Sequence, residues 1–329
     1  MDLLEEGIIM SNRYFIGIDT SAYTTSLAII DNEDNIVLDL RKVLEVKKGQ
    51  KGLRQQEAVF QHINNLPLLI EKMMMEIDIT KVDTIACSNK PRSVEDSYMP
   101  VFVVGKGQAF ILSKILGTKY SEYSHQEGHI GAGIMGSQLK DCDKFLSLHI
   151  SGGTTELLLV SNKKNQMSID IIGGTLDLSL GQLIDRIGVE LGLPFPCGME
   201  MDKISQRGNV LNLNIPISLK DKTWFNISGL ENYFKNLIKD SSYAIEDIFA
   251  TLFNTISILL YNIIINSHIE YKLDDILITG GVSANEHIRG SLYNKLSDNN
   301  IRPYFAKIPL STDNGVGVAY LAKEKFSSR

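Results

Sequence analysis

The chain has 329 residues, with 33 basic and 39 acidic side chains, a formal net charge of −6, 43% apolar residues and 22% charged ones. That length exceeds what a single hydrophobic core usually supports, so two domains are expected, and the composition is that of an ordinary soluble globular protein. The negative balance counts against a large autonomous surface for nonspecific nucleic-acid binding, but does not exclude a local basic patch. In chain order, residues 14–18 read as a strand, 19–25 (DTSAYTT) as a loop, 26–30 as a strand, 31–35 (DNEDN) as a turn and 36–38 as a strand. Residues 41–54 (RKVLEVKKGQKGLR) set six basic side chains, Arg41, Lys42, Lys47, Lys48, Lys51 and Arg54, against one acid, Glu45. Such a run is either a solvated loop or a phosphate-contacting patch. A helix is expected over 53–76, with Leu53, Val59, Phe60, Ile63, Leu66 and Ile70 near one face and Met73, Met74 and Met75 filling core. A short strand at 84–87, a turn at 88–92, a helix at 101–116 ended by Gly117 and a helix at 125–135 complete the first half.

The second half opens by repeating the first: strand 145–150, loop 151–155 (SGGTT), strand 156–160, turn 161–166 and strand 167–172. A unit that recurs after about half the chain implies two related lobes with a cleft between them. The boundaries expected are 1–140, with 1–13 as an extension, and 141–329, with a final helix at 313–323 returning toward the N-terminal lobe. Between them lie helices at 176–191, 228–238 and 248–265, a break at 194–198, and a strand at 275–279 running into Gly280, Gly281 and a further helix. The most apolar window, 248–269, is interrupted by Asn254, Asn262 and Asn266. It lacks the ~18 uninterrupted apolar residues of a membrane span and reads as a core helix, with no membrane association expected. The first residues (MDLLEE) are acidic where a signal peptide is basic, and Cys87, Cys142 and Cys197 are too few and too scattered for a disulfide framework. A cytoplasmic location is expected.

Three strand ends carry glycine- or hydroxyl-rich turns, at 19–21, 151–154 and 280–283. Such turns let backbone N–H groups approach a phosphate without Cβ interference, although a tight hairpin uses glycine for conformational reasons alone. His125 and His129, in SHQEGHI, are four residues apart and share one face of a helix. Two neutral imidazoles with a carboxylate make a site for a divalent transition metal; an ordinary surface pair has the same spacing. A metalloprotease would need glutamate directly after the first histidine, where Gln126 stands. Asp185 reads equally as a ribose ligand or as a partner of Arg186.

These residues resemble the bacterial tRNA threonylcarbamoyladenosine transferase subunit family, historically called glycoproteases, within the actin/hexokinase/heat-shock-ATPase superfold. The likeness runs from residue 14 to 322 and is strongest at HQEGH (125–129), ISGGT (150–154), GTLD (174–177) through Asp185, LGLPFP (191–196), FNISGL (225–230), GGVSAN (280–285) and TDNG (312–315). The resemblance implies an α/β fold of two duplicated lobes with a nucleotide cleft. It implies His125, His129 and Asp313 as ligands of one divalent transition metal, iron or zinc. It further implies Ile150, Ser151, Gly152, Gly153, Thr154, Asp185, Gly198, Asp202, Gly280, Gly281 and Asn285 around an adenine nucleotide or acyl-adenylate. The implied activity is threonylcarbamoyl transfer to the adenosine beside the anticodon of tRNA. The implied partners are tRNA, an actin-like subunit and a P-loop ATPase.

The chain departs from the family pattern in three places. The first loop has Ser21-Ala-Tyr-Thr-Thr25 for Ser-Cys-Asp-Glu-Thr, which leaves Asp19 and Ser21 as the candidate catalytic groups there. The second has Ser151-Gly-Gly-Thr-Thr155 for Ser-Gly-Gly-His-Thr, and residues 89–96 replace a Gly-Pro-Gly-Leu segment. These changes leave two alternatives open: a sister enzyme carbamoylating a small molecule, or a non-catalytic nucleotide-binding subunit.

Overall fold

The computed structural model describes residues 12–46, 53–163, 166–217 and 219–327. It divides into two compact units, Met1–Gly131 with Asn314–Arg329, and Ala132–Asp313.

In the first unit, β1 (Tyr14–Thr20), β2 (Thr24–Asp31) and β3 (Ile36–Val43) form an antiparallel meander. The β2–β3 turn is fixed by Asp31, whose carboxylate accepts the N–H groups of Glu33 and Asn35 at 2.8 and 2.9 Å. Helix α1 (Gln55–Glu76) leads to β4 (Val82–Lys90), and α2 (Val101–Leu116) leads to β5 (Lys119–Ser124). These helices are the crossovers that parallel pairing requires, and the sheet order is β3-β2-β1-β4-β5. Gly117 ends α2 in the left-handed conformation, as expected. Ile16, Ile18, Leu27, Ile29, Leu66, Met73 and Ile85 form the core under α1. Helix α3 (His125–Ile134) follows β5 and carries the chain into the second unit.

Helix α1 buries a different face from the one its apolar residues mark. Ala58, His62, Asn65, Leu66, Leu69 and Met73 point inward, whereas Phe60 is 67% and Ile63 52% exposed. The methionine run divides likewise: Met73 is buried, and Met74 and Met75 are exposed. Two polar residues satisfied by hydrogen bonds occupy the inner face, so hydrophobicity alone misplaces the helix phase. The turn expected at 88–92 begins later, because β4 stays paired with β5 through Lys90.

The second unit repeats the meander with β6 (Lys144–Ile150), β7 (Thr155–Lys163) and β8 (Gln166–Thr175). Then come α4 (Leu180–Glu190), α5 (Gly198–Ser205), β9 (Trp224–Phe225), α6 (Ser228–Asp240), α7 (Ile245–Tyr271), β10 (Asp275–Thr279), α8 (Glu286–Ser297), β11 (Arg302–Phe305) and α9 (Ile308–Ser311). The order β11-β10-β6-β7-β8-β9 contains β8-β7-β6-β10-β11, which is the first sheet's connectivity again, with β10 and β11 parallel to β6. The duplication read from the sequence is thus present in strand order. Helix α4 starts at Leu180 rather than 176 because Ser179 and Gln182 form a capping box there. Helix α7 is long and apolar enough to cross a membrane by length and composition, but 72% of its most apolar window is buried. It packs in the core with Leu148, Leu157, Ile276 and Ile278.

The last helix, α10 (Val316–Ser327), lies on the first unit's sheet, with Val318 and Ala322 against Ala86. Its approach to β1 requires glycine on both sides. A Cβ on Gly17 would fall 2.0 Å from the Gly315 carbonyl oxygen, and one on Gly315 would fall 2.3 Å from that of Gly17. The helix begins three residues later than expected, after Asn314, whose side chain accepts the Gly317 N–H at 3.1 Å.

Candidate metal and nucleotide sites

Helix α3 is started by a reciprocal cap. The Ser124 hydroxyl accepts the Glu127 N–H at 3.1 Å, and the Glu127 carboxylate accepts the Ser124 N–H at 2.6 Å. Glu127 therefore sets the phase of the first turn and places His125 and His129 side by side. Their Nε2 atoms lie 3.1 Å apart. His129 is 3% exposed, and the Phe102 ring sits 5.9 Å from that of His125.

Asp19, at the end of β1, is fully buried, and its Oδ1 lies 2.9 Å from His125 Nδ1 and 2.5 Å from the Ser88 hydroxyl. A carboxylate accepts, so His125 Nδ1 carries the proton and Nε2 presents its lone pair toward His129. Asp313 is the residue after which the chain re-enters the first unit at Asn314. One ligand atom each from His125, His129 and Asp313 lies within 4.8 Å of the others. This donor set fits a divalent transition metal. Imidazole nitrogens bound at about 2.0–2.1 Å with a bond angle of roughly 90–110° stand about 3–3.4 Å apart, as the two Nε2 atoms do.

The first loop differs from the two glycine loops. Asp19, Thr20 and Ser21 are at most 2% exposed, and the Thr20 hydroxyl is tied to α2 through the Val101 carbonyl and the Gly105 N–H. It is a packed corner, unlike the open phosphate cradle its hydroxyl-rich sequence suggests.

The loop after β6 is the open one. Ser151 N–H donates to the Thr154 carbonyl at 2.8 Å, and Thr154 N–H to the Ser151 hydroxyl at 3.1 Å. A Cβ on Gly152 or Gly153 would meet nothing within 4 Å. Helix α4 closes the loop from behind: Gly181 packs against Gly152, and the Ser179 hydroxyl donates to the Gly152 carbonyl at 2.6 Å. Gly280 adopts φ 94°, and a Cβ there would stand 2.3 Å from the Ile150 carbonyl oxygen. Glycine at 280 thus brings the turn after β10 against the end of β6, while Gly281 stays open. The structure also groups the remaining predicted residues in pairs. Asp185 accepts the Cys197 N–H at 2.7 Å, one residue before Gly198. Burial pushes the Asp185 carboxyl above its ordinary range, opposed by that N–H. Asp202 accepts the Glu286 N–H at 2.8 Å, beside Asn285, which caps α8 by accepting the Ile288 N–H. Asp185 has no bond to Arg186, which instead pairs with Glu231 at 3.1 Å. Sequence reasoning missed the supports: Ser179, Gly181 and the capping role of Glu127. The Ser-x-x-Glu and Ser-x-x-Gln spacings could have revealed both caps.

The two sheets of like connectivity define the actin/hexokinase/heat-shock-ATPase fold. Solved structures agree. The crystal structure of HypF from T. kodakarensis aligns with a TM-score of 0.62 at 12% identity, over 97% of this chain and 48% of its own. A glucokinase of the ROK family from Streptomyces griseus, in complex with glucose and AMPPNP, aligns at 0.53 and 8% identity, over 94% and 98%. At that identity they establish the fold alone. The family is established by sequence: the profile described as tRNA N6-adenosine threonylcarbamoyltransferase matches residues 40–320, and the chain belongs to that family. Similar members are those of Thermotoga neapolitana, 28% identical over 94% of this chain and 93% of the relative, and Sulfurihydrogenibium sp., 29% identical over 95% and 91%.

Proposed function

We propose that this protein transfers the threonylcarbamoyl group of threonylcarbamoyl-adenylate to N6 of the adenosine beside the anticodon of tRNA, in the cytoplasm. The observation that carries the reading is the convergence of the His125 and His129 Nε2 atoms, 3.1 Å apart, within a chain of this family. His125, His129 and Asp313 would hold one divalent metal, iron or zinc. Bound there, it would supply Lewis-acid polarisation of the carbamoyl oxygen and stabilise charge developing on it. The adenosine N6 attacks the carbamoyl carbon, the carbon–oxygen bond to the adenylate phosphate breaks, AMP departs with the electron pair, and the amine proton is lost. The backbone N–H groups at Gly152, Gly153 and Gly281 would receive the phosphate, with Asp185 near the ribose. Asp19 acts in this scheme by orienting His125 rather than by touching substrate. Its engagement with His125 and Ser88 supports that role.

A partner subunit of actin-like fold is also part of the proposal, with a P-loop ATPase as a further component. Helices α1 and α2 leave Phe60, Ile63, Met75, Phe110, Ile111 and Ile115 between 48% and 76% exposed. Beside them is a groove of about 600 Å³ lined by Pro67, Leu68, Ile70, Met74 and Gln108. These exposed apolar side chains are the feature that supports a docked partner on this face.

The test is incubation with threonine, bicarbonate, ATP and an acyl-adenylate synthase, with and without tRNA, followed by mass spectrometry. Threonylcarbamoyladenosine in the tRNA is expected. A carbamoylated small molecule formed equally without tRNA would overturn the proposed acceptor.

A further inference from the structure

Two polar residues interrupt the buried stripe of α1: His62 is 0% and Asn65 5% exposed. A buried imidazole is tolerated when its nitrogens are hydrogen-bonded, and here both are. Nε2 lies 2.8 Å from the Ser21 carbonyl oxygen, and Nδ1 2.8 Å from the Thr25 hydroxyl. A carbonyl only accepts, so Nε2 carries the ring proton. Nδ1 then accepts from the Thr25 hydroxyl, which in turn accepts from the Asn65 amide at 3.3 Å.

Ser21 directly follows β1, and Thr25 is the second residue of β2, so the two flank the turn between these strands. Thr25 pairs with Thr20 across β1 and β2, and the Leu44 N–H holds the Tyr23 carbonyl inside the loop at 2.8 Å. Two residues before Ser21 stands Asp19, which orients His125. One imidazole therefore ties the backbone on one side of the turn to a side chain on the other, next to the histidine pair. The mechanism proposed above gives His62 no contact with substrate.

We propose that His62 is a positioning residue for the transfer reaction, clasping the first loop as its Nε2–H tautomer so that the loop is held ready beside His125. The proposal rests on the reaction assigned above. Loss of the clasp displaces groups at the reaction centre without removing any, and such displacement costs rate more than binding.

The experiment compares His62→Leu, which keeps volume and loses both bonds, with His62→Gln, whose amide can donate to Ser21. In His62→Leu, kcat is expected to fall about 10- to 100-fold with KM for tRNA within about twofold, and His62→Gln to recover most of it. Metal content stays at the wild-type level in both. Amide exchange should accelerate at Leu44 and residues 21–25 while the rest of the sheet keeps its protection. Nitrogen-15 spectra of the wild type should place the His62 proton on Nε2. Should His62→Leu not fold, Thr25→Val is read in the same way. An unchanged kcat, an Nδ1–H tautomer, or equal losses in both variants that track global melting would overturn the proposal. A wild type without transfer activity would sink the reaction assigned above, and the tautomer and exchange data would still decide the clasp.

Discussion

Asp19 and His125 are 106 positions apart in the chain, and Asp19 Oδ1 lies 2.9 Å from His125 Nδ1. A carboxylate behind a histidine fixes its tautomer, raises its basicity and aims its other nitrogen. Asp19→Asn keeps the shape and loses the charge. Metal affinity measured by chelator competition is expected to fall about 10- to 100-fold in this variant. Affinity equal to the wild type would show that Asp19 does not serve the metal.

The histidine pair gives a sharper test. His129→Ala removes one of the three proposed ligands, and metal content after purification should drop severely. The double variant lacking both imidazoles should hold none, and stoichiometric metal in it would refute the assignment. Treating the wild type with a chelator should strip the ion without unfolding the protein, because cores of this size do not depend on one ion. Circular dichroism and metal analysis on the same sample read both outcomes.

For the nucleotide, Gly153→Val is informative because the structure leaves empty space where the new side chain goes. The melting temperature should be close to that of the wild type, while affinity for AMP or ATP by calorimetry falls steeply. Unchanged affinity in the folded variant would remove the 151–154 loop from the binding site.

The histidine pair and the glycine loops were legible in the sequence because each is a local pattern: a four-residue helical spacing, or glycines at a strand end. The duplicated meander was legible because strand periodicity and turn residues recur. What sequence could not supply was which face of α1 turns inward. His62 and Asn65 are buried through partners 37 to 41 residues away, and no local window contains those partners. Asp19 had the same ambiguity. Its residue type suits catalysis, and only the approach of His125 and Ser88 shows which groups its carboxylate engages. Helix starts erred by a few residues where a cap, at Ser179 or Asn314, delays the first turn.

Acid should probe the start of α6. Burial opposes ionisation of Asp177, but the N–H groups of Ile227, Leu178 and Ser228 outweigh it and hold the carboxyl at about 2. The bonds to Ile227 and Ser228 are each 3.0 Å. A depressed carboxyl pKa stabilises the fold above the unfolded value of about 3.9, and that contribution is lost as pH falls toward about 2. Asp177→Ala should cost about 1 kcal/mol at pH 7, the size of a helix cap, and lower the melting temperature by a few degrees. The gap between variant and wild type should narrow steadily between about pH 4 and 2. A gap independent of pH would mean that the carboxylate charge contributes nothing.

The acceptor can be tested through the basic segment at 41–54. Its Lys47, Lys48 and Lys51 lie outside the described residues. Arg41 is already engaged with Asp39, at 2.9 and 2.6 Å, and is a poor candidate for phosphate contact. An acidic protein that binds tRNA needs some concentrated positive surface, and these three lysines form the densest run in the chain. Replacing all three with glutamate should weaken tRNA binding, with little regard to tRNA sequence. It should also flatten the plot of log affinity against log salt by roughly one unit per lost phosphate contact. Transfer at saturating tRNA should change less than binding does, because none of the three belongs to the metal or nucleotide constellation. Filter binding across a salt series measures the slope directly. If the slope is the same in the variant and the wild type, the segment is a solvated loop and the tRNA contacts lie elsewhere.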